Sequence, residues 1–366
     1  MGVAMTELSR VTIDRILQGD LSAADAAFVL AHEIRLRTFR EKLERFGGGR
    51  ELRPLLVNGL VKNHPEATRD SLDRKVRGWL AGSYEPTRRQ DILEICFILG
   101  LSVTDADAFV AMASGEGFHW RDPDEIVDIY ALRHGMDYPA MQALKARLAD
   151  AVLHENAALP PEEDSFTPMV RKEVEALETE EELGDFLHRA KHRLGKLHNN
   201  AYQQFMAFMS LLESPEIMDL MEPDAHYTTR QIVETYLDKK LPALRKGAAL
   251  TAMQRDVRAN WPDETSISRM KNREIDVSRK VLILLFLVTD GGEREDDDEL
   301  DEETPEEAFR SSYCRLDNML EQCGYRTLDP RSAFDWAALY CLRVDDVLMA
   351  DRQMQDFLNA LFCDGN

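Results

Sequence analysis

Apolar positions recur every three or four residues along nearly the whole chain, and the alternation that marks a strand is almost absent. The pattern predicts an all-α protein. One helix is expected over residues 22–46, with Ser22 as N-cap, Asp25 three residues on, and Gly47-Gly48-Gly49 as its stop. Asp122-Pro123-Asp124-Glu125 combines an N-cap, a first-position proline and an early acid, so a helix should run from there to about Gly135. Thr179 with Glu182 opens an amphipathic helix expected over residues 180–213. Its stripe is Leu183, Phe186, Leu187, Ala190, Leu194, Leu197, Ala201, Phe205, Phe208, Met209 and Leu212. Such a stripe serves as core or as the seam of a homodimer.

The helical pattern occurs twice. Val76-Arg77-Gly78-Trp79-Leu80, Thr87-Arg88-Arg89 and the apolar run Ile92–Leu99 match Ile267-Ser268-Arg269-Met270-Lys271, Ser278-Arg279-Lys280 and Val281–Val288 at an offset of 191. Gly117-Phe118 and Asp122-Pro123 match Gly324-Tyr325 and Asp329-Pro330 at an offset of 207. The acidic run Gly291–Glu306, 16 residues long, accounts for the difference. Repeats set the architecture, so the chain divides into N-terminal helices (1–50), repeat one (51–150), a linker and central long helix (151–228), and repeat two (229–366) carrying the insertion 291–306. The linker is placed at 155–168, which holds three prolines and several acids, with a second break near 214–226.

Each repeat has a short basic and polar helix, a turn, a Ser/Thr-Arg pair and a very apolar helix. The segments VRGWLAGSYEPTRRQDILEICFILGLS and TSISRMKNREIDVSRKVLILLFLV resemble the phage-repressor-type (XRE-like) helix-turn-helix family, over roughly residues 51–135 and 230–345. The resemblance implies two repressor-like helix-turn-helix bundles joined by a central helical segment. It also implies a helix that lies in the DNA major groove, and two half-sites served by one chain. In both repeats an Asn-x-Pro, at Asn63-His64-Pro65 and Asn260-Trp261-Pro262, sits where a helix should end.

The candidate DNA contacts are Arg69, Arg74, Lys75, Arg77, Arg88 and Arg89 in repeat one. In repeat two they are Ser266, Ser268, Arg269, Lys271, Asn272, Arg273, Arg279 and Lys280. Arginine reads guanine and asparagine reads adenine through paired hydrogen bonds, and repeat two is expected to be the reader. Charge opposes the idea. The net charge is −22, of which the insertion supplies ten acids and one arginine, so any contact with duplex DNA must come from a local basic face. The expected function is therefore a non-enzymatic DNA-binding regulator, of the kind that serves a mobile element or a defence locus. The alternative is a protein-interaction scaffold whose acidic surface meets a basic partner. The acidic run itself reads as a solvated loop, a nucleic-acid mimic or a shield over repeat two.

Signals for chemistry are weak. His188 and His192 stand four apart, with His198 further on, but the sequence between them is Arg-Ala-Lys and lacks the glutamate of a metalloprotease helix. No cofactor or metal is expected. The five cysteines are scattered, which predicts reduced thiols and a cytoplasmic setting. No apolar run reaches membrane-spanning length.

Overall fold

In a computed structural model, the protein is all-helical among the described residues. Those residues are 21–30, 38–149, 166–213, 227–237, 261–289, 304–343 and 350–363, apart from 87, 196 and 331, with scattered positions before 21 and between 241 and 258. The chain forms two compact units. The first-repeat unit holds Arg37–Asn200 and Gly324–Arg326. The second-repeat unit holds Met1–Leu36, Ala201–Cys323 and Thr327–Asn366. This division differs from the sequence-based one, because the N-terminal piece and the central segment are each cut in two.

In the first-repeat unit, α2 (Phe39–Phe46), α3 (Leu52–Asn63), α4 (Arg69–Leu80), α5 (Arg89–Leu99), α6 (Val103–Ser114), α7 (Pro123–Arg133) and α8 (Tyr138–Arg147) follow one another. They are joined by α9 (Phe166–Glu175) and α10 (Glu180–Arg189). One apolar cluster runs through it, from Phe39 and Leu43 past Trp79, Ile95 and Phe109 to Phe186 and Leu194. In the second-repeat unit, α1 (Ala23–Phe28) packs on α17 (Ala350–Cys363). Between them in sequence come α11 (Asn199–Glu213), α12 (Thr229–Ile232), α13 (Glu264–Lys271), α14 (Arg279–Thr289), α15 (Pro305–Gln322) and α16 (Ala333–Leu342). Its core is built on α14, where every residue from Val281 to Val288 is buried, and on the rings of Trp336, Tyr340 and Phe357.

Two expected long helices are broken. Residues 22–46 do not form one helix: Ser22 caps α1 as read, but Thr38 is extended and opens α2 with a capping box to Glu41. The helix expected over 180–213 ends at Arg189, passes through a short 3-10 turn at Lys191–Arg193, and restarts at Asn199. Leu194 is extended there (φ −101°, ψ 152°), and the Gly195 N–H donates to the Arg121 carbonyl at 2.9 Å. Leu183, Phe186, Leu187, Ala190 and Leu194 are nevertheless buried in one unit and Ala201, Phe205, Phe208, Met209 and Leu212 in the other. The stripe is spent on two cores, which leaves no continuous seam for a homodimer. The linker 155–165 and the acidic residues 291–303 lie outside the described residues. Thr304-Pro305-Glu306, assigned to the insertion from sequence, instead begins α15, with Thr304 and Glu307 forming a capping box.

The duplication is carried by a shared set of hydrogen bonds. Arg89, first residue of α5, holds both oxygens of Glu125 on α7. Arg279, first residue of α14, holds both oxygens of Asp335 on α16, at 2.7 and 2.9 Å. The acceptor carboxylates also take the N–H groups of His119 and Asp329, six residues upstream in each case. The same arginines donate to the carbonyls of Gly117 and Thr327. Asp107 accepts from the Phe118 N–H and Asp317 from the Leu328 N–H, both eleven residues apart. The arginine–carboxylate separations are 36 and 56 residues, so 20 residues, rather than 16, separate the repeats at the insertion. Matching Asp122 to Asp329 from sequence is therefore incorrect. Asp122 caps α7, and its counterpart at the start of α16 is Ser332.

Candidate nucleic-acid interface

Two helices, α3 and α4, come together in the first-repeat unit across a five-residue link. Asn63 ends α3 because His64 precedes Pro65 and takes a non-helical φ of −126°. Both side chains then hold Glu94 of α5, which is 2% exposed: Asn63 Nδ2 donates to Oε1 at 2.8 Å, and His64 Nε2 lies 3.0 Å from Oε2. Burial works against a charge on His64, but Glu94 and Glu66 hold its imidazole above the ordinary value. Thr68 caps α4 by accepting from the Ser71 N–H.

Leu72, Val76 and Trp79 form the buried stripe of α4. By helical register, Asp70, Ser71, Arg74 and Arg77 occupy the opposite face, and all four are exposed. Arg74 and Arg88 have no ion-pair partner among the described residues. Arg77 pairs with Asp73 at 3.2 Å while remaining 57% exposed. Arg69 donates to Asn58 Oδ1, and Lys75 pairs with Asp91 at 3.1 Å while its ammonium lies 5.0 Å from the Trp79 ring. Arg89 does not belong to this face, since Glu125 and the Gly117 carbonyl hold it in the interior. Burial disfavours its charge, but Glu125 keeps the guanidinium above its ordinary value.

A cleft of about 1010 Å³ opens beside the first turn of α4. Four arginines (Arg40, Arg50, Arg53, Arg69) and four acids (Glu44, Glu51, Asp70, Asp73) line it. Arg40 pairs with Glu44 and Arg53 with Asp73, so the cleft offers no net charge to a ligand.

The corresponding helix of the second-repeat unit is α13, and its basic residues are largely engaged. Ser266 forms a capping box with Asp263, and its hydroxyl donates to the Asp263 carbonyl at 2.9 Å. Lys271 pairs with Glu213, Arg269 with Glu274 at 3.4 Å, and the Arg273 guanidinium sits 4.5 Å from the Tyr202 ring. The Arg279 side chain is 5% exposed against Asp335, and Lys280 lies over the Phe334 ring at 5.3 Å. Ser268 is half-buried, and Asn272 is exposed at the C-cap. Repeat two is the reader expected from sequence, yet Arg74 and Arg88, exposed and without an ion-pair partner among the described residues, both lie in the first-repeat unit.

Both helices end in the same turn. After α4, the Gly82 N–H bonds to Trp79 O and the Ser83 N–H to Gly78 O. After α13, the Arg273 N–H bonds to Met270 O and the Glu274 N–H to Arg269 O. Gly82 (φ 69°) and Arg273 (φ 56°) hold the left-handed position of that turn. In the first-repeat unit the turn folds Tyr84 back onto Gly78, and Tyr84 remains 47% exposed with its hydroxyl donating to the Lys75 carbonyl at 3.2 Å.

Among the described residues no group of three or more His, Cys, Asp or Glu side chains is placed to hold a metal ion. His188 is exposed on α10, while His198 stacks on His119 with ring centroids 4.0 Å apart. Burial, with His198 beside it, holds the His119 imidazole well below its ordinary value. Cys96 is buried in the core, and burial pushes its thiol up, away from nucleophilic use. No helix of the described residues is long and apolar enough to cross a membrane. No protein-family model, no curated protein and no solved structure matches this chain.

Proposed function

We propose that this chain is a DNA-binding regulatory protein that meets duplex DNA through the outward face of α4 in the first-repeat unit. The observation that carries the reading is the pair Arg74 and Arg88, exposed and free of ion-pair partners among the described residues. Arg74 lies on the second helix of a helix-link-helix whose sequence resembles the phage-repressor type, and Arg88 caps the next helix, α5. Arg77 and Ser71 extend the same face, which supplies both a bidentate reader and a hydroxyl. Asp70 and Asp73 dilute its charge, so the ionic part of binding should be small and its salt slope shallow.

A salt-titrated mobility-shift assay on the full chain tests this. Wild-type protein should bind duplex DNA at low salt. Arg74→Ala with Arg88→Ala should weaken binding and lower the slope of log K against log salt by about two, roughly 0.9 for each lost phosphate contact. Absence of duplex binding at low salt would reject the reading.

One observation favours a second role for the other unit. The outward face of α13 presents Thr265, Ser268 and Arg269, a single guanidinium, and Arg269 is paired with Glu274. Such a face suits protein contact better than phosphate contact, and the overall charge of −22 favours a basic partner.

A further inference from the structure

From the seat of its ring we infer that Tyr84 is a non-ionic contact for the duplex backbone, laid against deoxyribose at the C-terminal end of the α4 face. The inference rests on the DNA reading above and names a residue that the basic side chains do not predict. An exposed tyrosine on a loop is ordinarily mobile, but three features fix this one. The turn at Gly82 (φ 69°) reverses the chain immediately after α4. The hydroxyl donates to the Lys75 carbonyl. The ring lies directly over Gly78: a Cβ at that position would stand 2.3 Å from Tyr84 Cε1 and 2.5 Å from Cζ. Gly78 therefore acts as a notch in the helix, and the aromatic ring takes the place of its missing side chain.

Gly78 is one helical turn after Arg74, so the seated ring continues the face that Arg74 begins. Tyr84 is 47% exposed, and its hydroxyl is already committed to the backbone as a donor. What it presents outward is mainly apolar ring, in the connection that carries the chain from the Arg74 helix to Arg88, the N-cap of α5. An apolar ring on the same connection as two exposed guanidiniums is suited to a sugar whose neighbouring phosphates those guanidiniums meet. Contacts of this kind set the register of a helix on the duplex without reading sequence.

The test measures duplex affinity of the full chain across a salt series for Tyr84→Ala, Tyr84→Phe, Gly78→Ala and Arg74→Ala, with thermal melting to verify folding. Tyr84→Ala should weaken binding about three- to tenfold, the scale set by burying an aromatic edge. It should do so equally on unrelated duplexes and with an unchanged salt slope. Tyr84→Phe keeps the ring over Gly78 but loses one of its three fixings, so it should retain most of the wild-type affinity and bind clearly better than Tyr84→Ala. Gly78→Ala displaces the ring and should reproduce the Tyr84→Ala loss, while the double variant should lose no more than either alone. Arg74→Ala should lower the salt slope. Wild-type affinity in Tyr84→Ala together with weakened Arg74→Ala would overturn the assignment and leave the DNA reading standing. A loss in Tyr84→Phe equal to that in Tyr84→Ala would also overturn it, since the hydroxyl would then be the contact. If the wild-type chain binds no duplex at low salt, both fall.

Discussion

Asp128 sits on α7 with its side chain 1% exposed, its Oδ2 2.7 Å from Lys145 Nζ, and its Oδ1 without a hydrogen-bond partner. Burial pushes its carboxyl up to about 7, against the pull of Lys145, and the nearby Glu125 and Asp124 charges push the same way. A carboxyl that holds its proton more tightly when folded makes stability fall as pH rises, between its unfolded value near 4 and about 7. Asp107 and Asp317, both raised first by burial, and His64, raised by its glutamates, act in the same direction. His119, held low, opposes them on the acid side. The Asp128 contribution is therefore best isolated by difference. Asp128→Asn should flatten the decline in melting temperature from pH 5 to pH 8 relative to wild type, and an unchanged difference would contradict the burial of this carboxyl. Lys145→Met leaves the carboxylate without its cation and should cost about 3–5 kcal/mol at pH 8, read by denaturant titration, and much less at pH 5.

Helix starts were legible in the sequence because a cap is a local matter. Ser22, Asp122 and Thr179 each satisfy N–H groups within three residues, so the spacing alone reveals them. Helix breaks were less legible. The stripe from Leu183 to Leu212 keeps helical spacing across the interruption at 190–198, and both halves are buried, so periodicity gave no sign of a change of unit. Partners far apart in sequence were not legible at all. Arg89 and Arg279 look like the basic residues around them, and only the fold shows that Glu125 and Asp335, 36 and 56 residues on, turn them into internal ties between helices. Tyr84 was missed for the same reason, since its position depends on a glycine whose emptiness matters only once the turn has formed. The paired network yields a graded prediction. The Arg279–Asp335 side chains are 5% and 1% exposed, whereas those of Arg89–Glu125 are 28% and 7%. Arg279→Met should therefore destabilise by about 3–5 kcal/mol and Arg89→Met by less, and adding Asp335→Leu to Arg279→Met should restore much of the loss. Equal losses in a chemical-denaturation series would show that burial does not set the strength of these ties.

At the scale of the whole molecule, a basic face must act inside a strongly acidic field. Residues 291–303 contain nine acids and one arginine, eight of the 22 net negative charges. Screening makes the reach of such a segment depend on salt: about 30 Å at 0.01 M and about 10 Å at 0.1 M. Repulsion between such a run and a duplex therefore acts over longer distances at low salt than at physiological salt. Deleting 291–303, while keeping Thr304 and Glu307 so that the α15 capping box survives, should therefore raise duplex affinity roughly two- to tenfold at 0.01 M salt, with a gain that shrinks as salt is added. The same deletion separates the two functional readings. A basic protein partner drawn by the acidic surface should bind the deletion variant more weakly and associate with it more slowly, so the sign of the change identifies which polyelectrolyte this chain was built to meet. A gain in duplex affinity that persists undiminished at 0.1 M salt would point to direct occlusion of the face by the segment rather than to long-range repulsion.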